Sequence, residues 1–294
     1  MNAWLDLLPL LHAHAVLHAQ LQAPAGWSST GGDVARLYIM VSGSGTLHVA
    51  DRDEVLQPGA VVLIPGGAAH RVGDADAPPL YWPTPVAAGP VPPLRLPGDG
   101  ADVGALAITV TLGAELRERI VPLLPAALVA PPGASAWLDA TVALLRAQVA
   151  AGGGAAVLAA VGDVLVAEVL AAHFSTSGER PEGWLAALAE PVLARATHPL
   201  HQDAAHPWTV EALAAAADVS RTVLFNRFLD VLGEAPGEYI LRWRMLLARD
   251  ALRRGPVRVN EVAHRVGYRS EAAFNRAFVR STGSPPATWR RHRS

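Results

Sequence analysis

Short apolar runs punctuated by Gly and Pro occupy the first third of the chain. Apolar stripes at helical spacing occupy much of the rest. From Ala15 to about Thr111, AVLHAQL, ARLYIMV, GTLHVA, EVLQPG, AVVLIP and ALAITVT are six candidate strands at close intervals. Such a series predicts an antiparallel barrel or sandwich, with the Pro-rich stretch 78–97 as a long excursion between strands. Residues 1–12 read as a short leading helix. After Leu112 the period changes, and 113–128, 135–150 and 155–174 have helical spacing. Gly152–Gly154 reads as a connector, and STSGERPEG at 175–183 as a linker. On the last of these helices Val157, Val161, Val164, Leu165 and Val169 form one stripe. That stripe either packs on its own domain or forms a dimer seam.

The C-terminal part carries a repeat. VEALAAAADVSRTVLFNRF, Val210 to Phe228, and VNEVAHRVGYRSEAAFNRAF, Val259 to Phe278, follow one pattern. Each has a helix with small residues on one face, a short turn, a Ser, and a second helix. Thr209 is a plausible N-cap for the first helix, and Ser220 and Ser270 for the two second helices. Asp218 and Gly267 occupy the turn position that calls for left-handed backbone, which Asp tolerates better than most residues and Gly adopts freely. The exposed positions of the second helices are Arg221, Thr222, Phe225 and Asn226 in one unit, and Glu271, Ala272, Asn275 and Arg276 in the other. Arg and Asn can pair bidentately with guanine and adenine edges. Arg227 and Arg280 flank these faces, where phosphate contacts or internal ion pairs suit them. Phe225 has two readings, contact with a thymine methyl or packing. Between the units PGEYILRWRMLLARDALRRG runs from Pro236 to Gly255 as one helix about 28 Å long, decorated by Arg242, Arg244 and Arg249. That length is commensurate with the roughly 34 Å between successive major-groove turns.

Charge changes the picture next. The formal net charge of −2 conceals a division. Residues 205–294 hold 15 Arg against 8 Asp or Glu, a net of +7, while residues 1–204 hold 9 Arg against 18 acids, a net of −9. A basic domain joined to an acidic one fits a polyanion binder attached to another module. All 24 side-chain cations are Arg, and there is no Cys, which excludes disulfides and thiolate metal sites. No signal peptide is visible at the N-terminus, and Asp163 and Glu168 interrupt the Ala-rich stretch, so the expected setting is cytoplasmic with no membrane partner. No phosphate-cradling Gly loop, nucleophile elbow or paired carboxylates stand out, and no enzyme activity or cofactor is expected.

The segment AHRVGYRSEAAFNRAFVRSTGSPPATWR resembles the signature of the AraC/XylS transcriptional regulators, through Ala263, Gly267, Tyr268, Ser270, Phe274, Arg276, Phe278, Gly283, Pro286, Trp289 and Arg290. The first unit matches through Leu213, Ala214, Ser220, Leu224, Arg227, Phe228, Gly233, Pro236 and Tyr239. This resemblance implies a seven-helix domain that places two recognition helices in adjacent major grooves of double-stranded DNA. It implies contacts from Ser220, Arg221, Thr222, Phe225, Asn226 and Arg227, and from Ser270, Glu271, Ala272, Asn275 and Arg276.

YIMVSGSGTLHVADRDEVLQPGAVVLIPGGAAHRV resembles the cupin barrel at the front of many such regulators, through Gly43, Gly59, Pro65, Gly67 and His70. The further ligands of metal cupins would fall near Thr30, Gly32 and Arg36, so three are missing and no metal site is expected. His18, Trp27, Tyr38, Met40, His48 and His70 are candidates for an effector pocket. Structural roles for the histidines remain open, as does their convergence inside the barrel.

The expected fold is α+β and multidomain. A cupin-like antiparallel β-barrel at 1–112 precedes a helical dimerisation or linker region at 113–183 and an all-α domain with two helix-turn-helix units at 184–294. The expected function is sequence-specific DNA binding in transcription regulation, as a homodimer, with a small-molecule effector in the barrel and RNA polymerase as a further partner. One alternative is a regulator whose barrel binds no effector and serves only dimerisation or protein interaction. A metal-dependent cupin enzyme is the other.

Overall fold

A computed structural model of the chain describes residues 3–7, 12–83, 90–99, 102–153 and 155–293. The contacts separate two compact units, 2–179 and 180–294.

The first unit opens on a 3-10 turn at Ala3–Leu7 and continues with strands β1 (His14–Ala23), β2 (Gly26–Ser29), β3 (Ala35–Ser42), β4 (Gly45–Val49), β5 (Arg52–Leu56), β6 (Val61–Ile64), β7 (His70–Gly73), β8 (Pro93–Arg95), β9 (Val103–Thr111) and β10 (Leu128–Ala130). Helices α1 (Ala114–Arg119), α2 (Ala136–Ala150) and α3 (Ala155–Thr176) complete it. Two sheets form, one ordered β10-β6-β3-β9-β1-β8 and the other β2-β7-β4-β5. Their inner faces enclose a core that includes Leu21, Trp27, Tyr38, Met40, Leu47, Val62 and Val72.

The register of β1 against β9 slips between Leu17 and Ala19, a bulge centred on His18. A bulge reverses which alternate residues face inward. Ala19, Leu21 and Ala23 belong to the inner core, whereas Ala15, before the bulge, lies against Gly162 of α3. Helix α3 packs on β1 and β10. In its stripe Leu165 and Val169 are buried, while Val157, Val161 and Val164 are half-buried. The helices after residue 112 therefore pack with the strands as one unit.

Several expected elements need correction. The helix read over 113–128 stops at Arg119, then turns through Val121–Leu123 and ends as strand β10. Pro122 and Pro125 prevent continuation, and β10 finds its ladder partner in β6, which local periodicity does not report. The leading helix shrinks to the 3-10 turn, with residues 8–11 of that reading outside the described ones. Strands β2, β7 and β8 are three or four residues long, too short to show alternation. The 78–97 excursion contains β8, which runs parallel to β1; residues 84–89 lie outside the described ones. Among the described residues no helix is long and apolar enough to cross a membrane.

The second unit holds a 3-10 turn at Gly183–Leu185 and helices α4 (Ala186–Ala189), α5 (Pro191–Gln202), α6 (Val210–Ala216), α7 (Arg221–Leu232), α8 (Pro236–Arg254), α9 (Val259–Arg265), α10 (Glu271–Thr282) and α11 (Pro286–Arg293). Pro at the first position of α8 and α11 suits a helix start, where no backbone donor is needed. Helix α8 serves two cores. Near its start Tyr239 meets Phe228 of α7 edge to face, with ring centroids 5.5 Å apart. Farther along, Met245, Ala248 and Leu252 pack with Val262, Ala263, Val266, Phe274, Phe278 and Trp289. Its arginines do not all decorate the surface as expected. Arg242 is exposed and pairs with Glu234 at 2.5 Å, but Arg244 is half-buried and Arg249 is buried.

Candidate nucleic-acid interface

The two repeat units are built alike. In the first, the Thr209 hydroxyl accepts from Ala212 N at 3.2 Å to start α6, and Asp218 takes the left-handed turn at φ 56°. Ser220 Oγ then accepts from Val223 N at 3.2 Å to start α7. In the second, Gly267 takes the turn at φ +85°, and Ser270 Oγ accepts from Ala273 N at 3.3 Å to start α10. Both second helices run for 12 residues and end on a left-handed glycine, Gly233 or Gly283. Position by position Arg221 corresponds to Glu271, Thr222 to Ala272, Phe225 to Asn275 and Asn226 to Arg276.

The inner faces of both helices are closed. Leu224 and Phe228 in α7, and Phe274 and Phe278 in α10, have no exposed surface, at 0% each. The remaining expected contact residues of α7 are open: Ser220, Arg221, Thr222, Phe225, Asn226 and Arg227 are all exposed. On α10, Ser270, Glu271, Ala272 and Arg276 are exposed. Asn275 is half-buried, and its Oδ1 lies out of solvent without a hydrogen-bond partner. The capped start of each helix carries a positive dipole end within one turn of its exposed polar side chains.

Two features escaped sequence reasoning. Arg221 Nη1 pairs with Glu211 at 2.8 Å, at the start of the preceding helix. The Glu211 carboxyl is held below the usual range by its own backbone N–H at the helix start and by the Thr209 hydroxyl, with Arg221 adding to the effect. Arg244 is a clamp. Its Nε donates to Ala204 O at 3.0 Å and its Nη2 to His206 O at 2.7 Å, and its guanidinium lies 6.0 Å from the Tyr268 ring centre. The loop before α6, helix α8 and the turn after α9 thus meet at one side chain. The acceptors are backbone carbonyls about forty residues upstream, so no sequence pattern announces them.

The barrel candidates fall into two groups. Trp27, Tyr38 and Met40 are fully buried, and His70 is 5% exposed. Tyr38 OH donates to His70 Nε2 at 2.8 Å, and His70 Nδ1–H donates to Ala68 O at 2.7 Å, which sets the neutral tautomer. Burial, chiefly, pushes the His70 imidazole below its ordinary value and the Tyr38 phenol well above its own. Trp27 and Trp82 flank Tyr38 at 5.2 and 6.0 Å between ring centres, and the Arg36 guanidinium sits 4.5 Å from the Trp82 ring centre. His18, at the bulge, is held by Pro83 O at 2.7 Å and the Thr109 hydroxyl at 2.9 Å. His48 does not join this group. It alternates with the buried Leu47 and Val49, lies on the other side of β4, and pairs with Asp53 at 2.6 Å. Convergence of the three histidines is therefore not what the barrel provides, because β4 presents Leu47 inward instead. Among the described residues no three His, Asp or Glu side chains are placed to hold a metal ion.

Comparison with known proteins decides the family. Residues 5–175 match the cupin family, and residues 213–292 match a helix-turn-helix domain. RclR of Escherichia coli K12, described as an RCS-specific HTH-type transcriptional activator, is 26% identical over 288 residues, 94% of this chain and 90% of that protein. A protein of Streptomyces antibioticus described as an AraC-like transcription regulator is 45% identical over 129 residues, 44% of this chain and 43% of its own length. The chain belongs to the cupin family through its N-terminal domain, and its C-terminal part carries a helix-turn-helix domain similar to that of AraC-like regulators. Its match to the Streptomyces antibioticus relative spans less than half of that protein. The DNA-binding domain of AdpA, solved in complex with a target DNA, is 34% identical with a TM-score of 0.33, covering 35% of this chain and 92% of that one.

Proposed function

We propose that this chain is a sequence-specific DNA-binding regulator of transcription. One observation carries the reading: two helices of equal length, each capped by Ser and closed by Gly, expose corresponding side chains on one compact unit. Arg221, Thr222, Phe225, Asn226 and Arg227 read or grip one stretch of duplex. Glu271, Ala272, Asn275 and Arg276 do so for the next, and Ser220 and Ser270 present the helix starts to phosphate. The net charge of +7 over residues 205–294 supplies the attraction to a polyanion. The test is selection of duplexes from a random pool by the full chain, followed by gel-shift titration at several salt concentrations. A preferred sequence and a steep salt slope are expected. No preferred sequence and no shift at low salt would end the proposal.

The barrel is the regulatory module in this reading, acting through a small-molecule effector and a homodimer, with RNA polymerase as a further partner. A buried indole N–H on Trp82 lacks a hydrogen-bond partner beside the Tyr38–His70 pair. Buried donors of this kind ordinarily have acceptors, which an effector could supply. A second reading, a barrel that only mediates dimerisation or protein contact, draws support from the complete burial of Trp27, Tyr38 and Met40. A thermal-shift screen of metabolites separates them, because a specific ligand raises apparent stability by mass action. Stabilisation that disappears in Tyr38→Phe favours the effector; none across a broad screen favours the second reading.

A further inference from the structure

We infer that α7 selects its stretch of duplex by burying a thymine 5-methyl group against Phe225, with the methyl of Thr222 beside it. This rests on the DNA-binding reading above and names a specificity within that site. The internal repeat supplies the comparison. At the position where α10 carries a half-buried Asn275, α7 carries a Phe225 that is 41% exposed. Phe225 does not belong to the core, since Leu224 and Phe228 already close the inner face of α7 with no exposed surface. Nor is it an isolated apolar residue, which would need no explanation. Thr222, Phe225 and Leu229 follow at helical spacing along one side, and Leu229 is 43% exposed.

A recognition helix that presents an apolar stripe to a groove needs an apolar group there. The major groove offers one, the thymine methyl, and Thr and Phe side chains are suited to it. Thr222 and Phe225 lie in the first turns of α7, the part of a recognition helix that reaches base edges. Asn226 is the exposed neighbour, and its amide can pair with adenine. The stripe and the amide together favour A·T pairs under α7. α10 offers Ala272, Asn275 and Arg276 at the corresponding places.

The experiment uses the full chain and the duplex recovered by selection. Each thymine is replaced in turn by deoxyuridine, which keeps every hydrogen-bonding group and removes only the methyl. Loss of one buried methyl predicts about three- to fivefold weaker binding at one or two adjacent positions. Phe225→Ala should weaken binding to the thymine duplex by a similar factor, with little further loss on the uracil duplex. Phe225→Leu should retain part of the discrimination. Unchanged helical content and melting temperature would show that the exposed substitution leaves the fold intact. Equal affinity for thymine and uracil duplexes at every position overturns the inference, as does discrimination that survives Phe225→Ala; DNA binding stands in both cases. Failure to recover or bind any duplex removes the DNA-binding reading and this inference with it.

Discussion

A Cβ atom added at Gly267 would sit 2.7 Å from Nη2 of Arg244 and 2.8 Å from the Ala204 carbonyl oxygen to which Arg244 donates. Gly267 is therefore required twice, once for its φ of +85° and once for the space that the clamp occupies.

Replacing Gly267 by Val should destabilise the 180–294 unit by roughly 2–4 kcal/mol, combining backbone strain with a clash. Thermal unfolding of the full chain checks this. An unchanged melting temperature would refute the turn assignment. The clash and the strain can be separated. Arg244→Ala alone loses hydrogen bonds to two carbonyls and should cost about 1–3 kcal/mol. In combination with Gly267→Ala it should cost less than the sum of the two by at least about 0.5 kcal/mol, because removing the guanidinium removes one of the clashing groups.

Arg276 is exposed on α10, at the position equivalent to Asn226 on α7. Arg276→Ala should weaken DNA binding by about 1–3 kcal/mol and relax preference at one base pair. Titration against a panel of single-position variants of the recovered duplex distinguishes the roles. An equal loss on every variant would reassign Arg276 to phosphate.

Glu211 holds Arg221 in an exposed ion pair and places a negative charge beside the exposed face of α7 proposed to meet DNA. Its carboxyl stays ionised below the usual range, so the restraint operates throughout neutral pH. Glu211→Gln should tighten DNA binding, more at low salt than at high, and steepen the salt slope. Unchanged affinity at low salt would mean that Arg221 takes no part in binding.

His70 predicts a pH dependence for the barrel. Burial, aided by the Arg36 charge, lowers its folded value below the ordinary 6.5. Between the two values the unfolded chain binds the extra proton, so unfolding is favoured as acid is added. The stabilisation is complete above about pH 6.5 and is lost progressively as pH falls toward the lowered folded value. His70→Gln, which keeps an acceptor for Tyr38, should reduce the difference in melting temperature between about pH 7.5 and pH 5.5. An undiminished difference would place the titration on another group.

What could be read from the chain divides by the range of the interactions involved. Asp218, Gly267, Ser220 and Ser270 were legible because turns and caps are settled by residues within four positions of one another. The exposed faces of α7 and α10 were legible because helical spacing separates them from Leu224, Phe228, Phe274 and Phe278. Strand β10 was read as helix because its partner, β6, lies far back in the chain. The His18 bulge was invisible because a one-residue slip between β1 and β9 leaves composition unchanged. His48 was misplaced for a related reason: only the pairing of β4 with β7 and β5 decides which of its faces looks inward. From the chain alone Arg244 and Arg249 read as surface charge, since a cation on a helix reads as solvated until its partners are located.

The sharing of α8 between two cores sets a rule for how this protein can change. One inserted residue in that helix would advance everything after it by about 1.5 Å and turn it by about 100°. If α7 and α10 read DNA as proposed, the stretch of bases read second would then fall out of phase with the first, however well each exposed face was preserved. On that reading, drift in target sequence can proceed one side chain at a time, but the interval between the two blocks of a target is inherited as a single unbroken piece of backbone.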